Sequence, residues 1–211
     1  HVGRTVTASR EDVENALGEL GKKADDIMKA AAGRIFVTTA ISQNGKLDGL
    51  IVLFAQSKLV FDVARIYYQR PTIRNLLHLY ANVAVMVFLA SEIEDMDLAG
   101  IVQPILTGVL GSAAGAIPGF QVASMILVSS VISGSSNAFL TLRVGAITKQ
   151  YCRCLVVPSK QTVRRQATVE ATRMLGSIVT EGTKKVYDAI WASSKSRLET
   201  AIDGVGAYAK K

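Results

Sequence analysis

From Leu98 to Leu142 the chain runs for 45 residues without a Lys, Arg, Asp, Glu or His. Asp97 closes the charged sequence before it and Arg143 reopens it after. A hydrocarbon core about 30 Å thick takes about 20 apolar residues per helix, so this length suits two helical arms. Ile117-Pro118-Gly119 divides it, because proline removes a backbone donor and glycine frees the chain to turn. The stretch reads as a membrane-embedded helical hairpin. Its second arm carries Ser129, Ser130, Ser133, Ser135 and Ser136, a polar side that suits other helices better than lipid. A hairpin forming the core of a soluble helical bundle therefore stays open beside the membrane reading.

The flanks carry the charge. Of the net +7, residues 143–211 hold 13 basic and 5 acidic side chains, while residues 1–46 are almost balanced at 7 and 6. A basic segment beside an apolar block points to anionic lipid headgroups at a membrane surface. Nucleic acid is the competing partner, and it is set aside because no aromatic residues are interleaved for base stacking. Two cysteines, Cys152 and Cys154, are too few for a disulfide framework. An opening of His1-Val2-Gly3-Arg4 without Met reads as a piece of something longer.

Periodicity fills in the helices. Behind Ser9 as an N-cap, Val13, Leu17, Leu20, Ala24, Ile27, Ala31 and Ile35 form one apolar stripe at steps of three and four. A second helix runs from about Leu47 to Tyr68, apolar through Leu50–Phe54 and then charged at Lys58, Asp62 and Arg65. That mixture suits a helix lying against a membrane better than one crossing it. A third, from about Thr72 to Ser91, precedes the acidic cluster Glu92–Asp97. The last runs from about Ser159 toward Ala207, with an apolar stripe through Val163, Ala167, Ala171, Met174, Ile178, Val186, Ala189 and Leu198. As a basic amphipathic helix it suits an anionic membrane surface or the outside of a bundle. The expected fold is all-α: a helical bundle with a membrane-embedded apolar hairpin and amphipathic terminal helices. Its parts are an N-terminal segment over 1–45, a helical core over 46–157 and a basic C-terminal helix over 158–211.

Motifs for chemistry are missing. There is no Walker-type loop, because the glycine-rich run Gly111–Gly119 lacks its lysine, and no nucleophile elbow surrounds the serines. His78 and Asn82, four apart, lack further metal ligands. Arg153 between Cys152 and Cys154 is of the kind that lowers a thiol pKa, but a lone Cys-x-Cys supplies only two of a zinc site's four ligands. No catalytic residue, metal or cofactor is assigned, and an enzyme is not expected. Gly111, Gly115 and Gly119 have the small-xxx-small spacing that lets helices approach closely in lipid, or they simply mark the loop around Pro118.

Two clusters of residues carry a family resemblance. The first is Leu47-Asp48-Gly49-Leu50-Ile51-Val52 with Leu59, Ala64, Tyr67 and Pro71. The second is Gly134, Asn137, Leu140-Thr141, Arg143, Gly145 and Cys152-Arg153. Together they resemble the YcjF-like inner-membrane protein family, which is related to a domain of unknown function often found beside small GTPases. The chain departs from the family pattern at Tyr68, usually Gly, and at Cys154, usually Pro. The resemblance implies a helical protein of the inner membrane without a known reaction. Asp48 and Arg143 both fall on family positions at the edges of apolar helices, and a buried acid there needs a cation. They are expected to pair. The function expected is a membrane-associated scaffold or interaction protein, bound to anionic lipids and to a protein partner or a second copy, with a GTPase as the partner by analogy. The alternative is a soluble helical bundle binding a lipid or another apolar ligand; a transporter lacks paired charges within the span.

Overall fold

The computed structural model describes residues 10–42, 45–68, 72–88, 98–114, 120–153 and 159–208. These form six helices and, among the described residues, no strand: α1 (Arg10–Ile41), α2 (Gly45–Tyr67), α3 (Ile73–Phe88), α4 (Leu98–Ala114), α5 (Phe120–Arg153) and α6 (Lys160–Tyr208). Local chemistry sets several ends. Glu11 and Asp12 sit in the first turn of α1, where the helix dipole favours acids. Thr72 caps α3 by accepting the Asn75 N–H, and Ser159 caps α6 by accepting that of Thr162.

α5 is the centre, packed against all five other helices. From Thr141 to Lys149 every residue is buried, so no face of that segment meets solvent. The segment is enclosed on every side by the other helices, and its polar members Thr141, Arg143, Thr148 and Lys149 are buried with the rest. Its two interior threonines are satisfied locally, Thr141 donating to the Asn137 carbonyl and Thr148 to that of Val144, both at 2.8 Å.

Close contacts fix how the helices pass one another. A Cβ on Gly134 would lie 2.7 Å from the Phe36 carbonyl oxygen, and one on Gly145 would lie 2.6 Å from Met28 Cγ. α1 and α5 are therefore antiparallel. The Phe36 ring also presses on Gly182, which sets α6 parallel to α1. A single apolar core draws on all six helices, so the three sequence segments share one interior.

The described residues do not support the expected membrane-embedded hairpin. No helix among the described residues is long and apolar enough to cross a membrane. α4 has 17 residues with Pro104 inside it, and α5 continues past its uncharged part to Arg153. The division near Pro118 falls between the two helices, although 115–119 lie outside the described residues. From Gly134 onward the uncharged sequence is bundle core, and a protein interior excludes charge as a bilayer does. The stripe of α6 is likewise spent on the protein: Val163, Ala167, Ala171, Met174, Ile178 and Val186 are buried in the shared core, so that face is not free for lipid. The stripe of α1 is buried in the chain itself at Ala24, Ala31 and Ile35, and the buried face extends to Met28, Ala32 and Phe36, which the stripe did not include.

Candidate functional site

Three helices meet in a buried charge centre at one end of the bundle. Lys149, near the C-terminus of α5, is 8% exposed, and its Nζ lies 2.5 Å from Asp25 of α1 and from Glu170 of α6. Burial acts against the ammonium, but hydrogen bonds and charge from the two carboxylates outweigh it and raise the lysine's pKa. Such a lysine stays protonated and serves as a clamp, not as a nucleophile or base. α1 passes beside the lysine stem at Gly21, where a Cβ would stand 3.6 Å from Lys149 Cε, an ordinary contact distance. The Tyr67 hydroxyl, on α2 nearby, is buried without a hydrogen-bond partner. Burial pushes it up to about 12, against the opposing pull of Arg153. Lys149 also lines an open groove of about 1030 Å³ between α5 and α6, together with Arg153, Arg165 and Arg173.

Arg143 is the other interior cation. It is 2% exposed, and its Nε and Nη1 have no hydrogen-bond partner. Burial alone lowers its pKa. The side chain of Asp48, its expected partner, lies outside the described residues. Replacing an unpaired buried ion by an apolar side chain of similar length removes its desolvation cost. Arg143→Met is therefore expected to stabilise the protein by about 1–3 kcal/mol in urea unfolding. A loss of several kcal/mol would instead reveal an acid paired with Arg143, with Asp48 as the first candidate.

Exposed apolar side chains occur at both ends of the bundle: Tyr68, Ile73 and Leu77 are exposed where α2 passes into α3, and a second group stands at the end away from Lys149. Leu50, Leu53 and Phe54 of α2 are 66%, 54% and 74% exposed, and Ile41 of α1 and Ile132 of α5 are exposed beside the Phe36–Gly134 crossing. α2 thus inverts the simple reading of its sequence. Its apolar first half faces out, while the half bearing Lys58, Asp62 and Arg65 buries Leu59, Val60, Val63 and Ala64. Lys58 pairs with Asp62 across one turn, and Arg65 lies 5.6 Å over the Phe61 ring. Trp191, stacked on Tyr187, is exposed past Gly182 toward the same end. Below this apolar surface, Arg34, Lys184 and Lys185 are exposed, with Arg34 and Lys185 lining a groove that also holds Glu181.

The remaining sequence candidates fall apart in space. Gly111 is exposed with nothing near its would-be Cβ, and Gly115 and Gly119 lie outside the described residues. Asn137, Thr141 and Gly145 belong to the packed part of α5 and hold structure. Cys152 is pushed up to about 12 by burial, so it is a thiol and not the activated thiolate that a neighbouring arginine would favour. Cys154 lies outside the described residues. Asn82 donates its side-chain amide to the His78 carbonyl oxygen at 2.9 Å. Sequence reasoning missed Asp25, Lys149 and Glu170 as a group. Lys149 stood in the basic run, but 124 residues separate it from Asp25 and no local signal joins them.

Comparison with known proteins agrees with a membrane-related family. The family described as "Domain of unknown function (DUF697)" matches residues 7–174. A protein of Rhizobium rhizogenes (strain K84 / ATCC BAA-868) named "UPF0283 membrane protein" is 28% identical over 162 residues, which is 72% of this chain and 41% of the relative. The chain thus spans under half the length of that relative. No solved structure matches it.

Proposed function

The chain belongs to the family described as Domain of unknown function (DUF697), and we propose that it is a membrane-associated helical scaffold that meets the bilayer with its apolar end and does not cross it. The observation that carries this reading is the exposed apolar face of α2, where Leu50, Leu53 and Phe54 lie at steps of three and four, with Ile41 and Ile132 also exposed on α1 and α5. Contiguous exposed apolar surface marks an interaction site. Arg34, Lys184 and Lys185 stand just below it, where headgroup phosphates would lie. α5 begins with Phe120, 14 residues before the Gly134 crossing, so the helix starts about 20 Å beyond it. The name of the relative, "UPF0283 membrane protein", supports membrane association.

The finer parts of the reading are proposals of the same kind. The membrane is the inner membrane, the family is the YcjF-like one, and the role is non-catalytic. The partner is a protein, a GTPase by analogy with that family, or a second copy meeting at the small-residue spacing from Gly111 to Gly119. A soluble bundle holding an apolar ligand is less favoured, because the groove beside Lys149 is lined mainly by charged and polar side chains.

Vesicle binding tests the reading. The 211-residue chain is expected to float with vesicles containing phosphatidylglycerol, and emission from Trp191, its sole tryptophan, to shift to the blue. Burying an apolar side chain is worth about 1.5–3 kcal/mol, so Leu50→Glu with Phe54→Glu should weaken binding more than tenfold. Both positions are exposed, so helix content should not change. Equal flotation of the double variant would remove the apolar end as the membrane face.

A further inference from the structure

At the opposite end from the apolar surface, the groove between the C-terminal turns of α5 and the first turns of α6 has a lining of unusual charge. Four cations, Lys149, Arg153, Arg165 and Arg173, face it with two acids, Asp25 and Glu170. Both acids are taken up by Lys149. The three arginines are exposed and, among the described residues, none is in an ion pair.

We propose that this groove is a binding site for a soluble ligand carrying two or more phosphate groups. Arg165 and Arg173 lie eight residues apart on α6, so their backbones are about 12 Å apart along the helix, with Val169 between them on the same side. Arg153 comes from α5, across the groove. Three guanidinium forks at that spacing match an extended polyanion better than a single phosphate, because each fork takes two phosphate oxygens. Gln161 and Thr162 place the first turn of α6 in the same lining, adding the positive end of a helix dipole. Lys149 holds α1, α5 and α6 at one spacing, so the wall positions are set before a ligand arrives. The volume, about 1030 Å³, is ample for a triphosphate-sized molecule.

A lipid headgroup has the same chemistry, but the position argues for a ligand from solution. Lys149 is 15 residues along α5 from the Gly134 crossing, about 22 Å from the level of the apolar end. The choice of a ligand from solution over a headgroup rests on the membrane reading, whereas polyphosphate binding by the three arginines does not.

Calorimetric titration of the whole chain with inorganic tripolyphosphate tests it. One saturable site is expected, weakening as salt is raised. Arg165→Ala with Arg173→Ala should weaken that site at least tenfold, while Lys184→Ala with Lys185→Ala, which removes the same charge elsewhere, should leave it within twofold. All four side chains are exposed, so neither double variant should fail to fold; circular dichroism and a thermal melt confirm this. The proposal is overturned by an absence of saturable binding or by equal losses in the two double variants, which would mean attraction by net charge alone. It is also overturned if poly-glutamate binds as tightly, or if only phosphatidylglycerol vesicles compete for the three arginines. Failure of the membrane reading would leave the tripolyphosphate result unchanged.

Discussion

Phe36→Ala is expected to lower stability by about 3–5 kcal/mol, the largest effect of any single truncation in the core. Phe36 is fully buried, and its ring fills the space against Gly182 of α6 while its carbonyl meets Gly134 of α5. Three helices are fitted around one residue. Gly182→Ala alone should therefore also destabilise, by about 1–3 kcal/mol, because a Cβ there overlaps a ring that has nowhere to move. The two changes should not add. Once the ring is gone the new methyl meets empty space, and alanine in a helix interior is better than glycine by about 1 kcal/mol. In the Phe36→Ala background, Gly182→Ala should thus be neutral or slightly stabilising. Urea unfolding of the four proteins yields this coupling directly. Simple addition of the two losses would mean that the ring does not set the α1–α6 spacing.

Much of the helical outline was legible because its signals are local. Ser159 before a stripe at Val163, Ala167 and Ala171 specifies where α6 begins and which face it buries, and both are found. The environment of the 98–142 stretch was not legible. A bilayer and a protein interior both exclude charge, so the absence of Lys, Arg, Asp and Glu cannot tell them apart. The difference lies in Phe36 and Ala40 arriving from α1 to cover Gly134, a cover that Met28 and Leu59 continue past the stretch at Gly145. α2 shows the same limit from the other side. Its apolar run Leu50–Phe54 looks like core and faces out, because its position at the end of the bundle, not its composition, decides what covers it. The site follows this rule most fully. Arg153, Arg165 and Arg173 were visible as basic residues, but their sharing of one groove depends on the antiparallel return of α6 along α5.

That return is held by Lys149, and Lys149→Met is expected to cost about 2–4 kcal/mol at pH 7. Removing one partner of a buried ion pair leaves the other charge uncompensated, which costs about 3–5 kcal/mol when burial is complete. Asp25 and Glu170 are 32% and 22% exposed, so water recovers part of the loss. The methionine keeps the length of the chain and most of its packing, so the difference reports charge more than shape. Alkaline pH supplies a check on the cause. In the folded protein the Lys149 pKa is raised above that of an unfolded lysine, about 10.4. The folded state then binds the proton more tightly, so the stabilisation is fully present below about pH 10 and is lost as pH rises through the folded value. Wild type and Lys149→Met should therefore differ by a constant amount from pH 7 to about pH 9.5 and converge above pH 10.5. A difference that persists unchanged to pH 12 would assign the loss to packing around the lysine stem, and the charge clamp between α1, α5 and α6 would have to be given up.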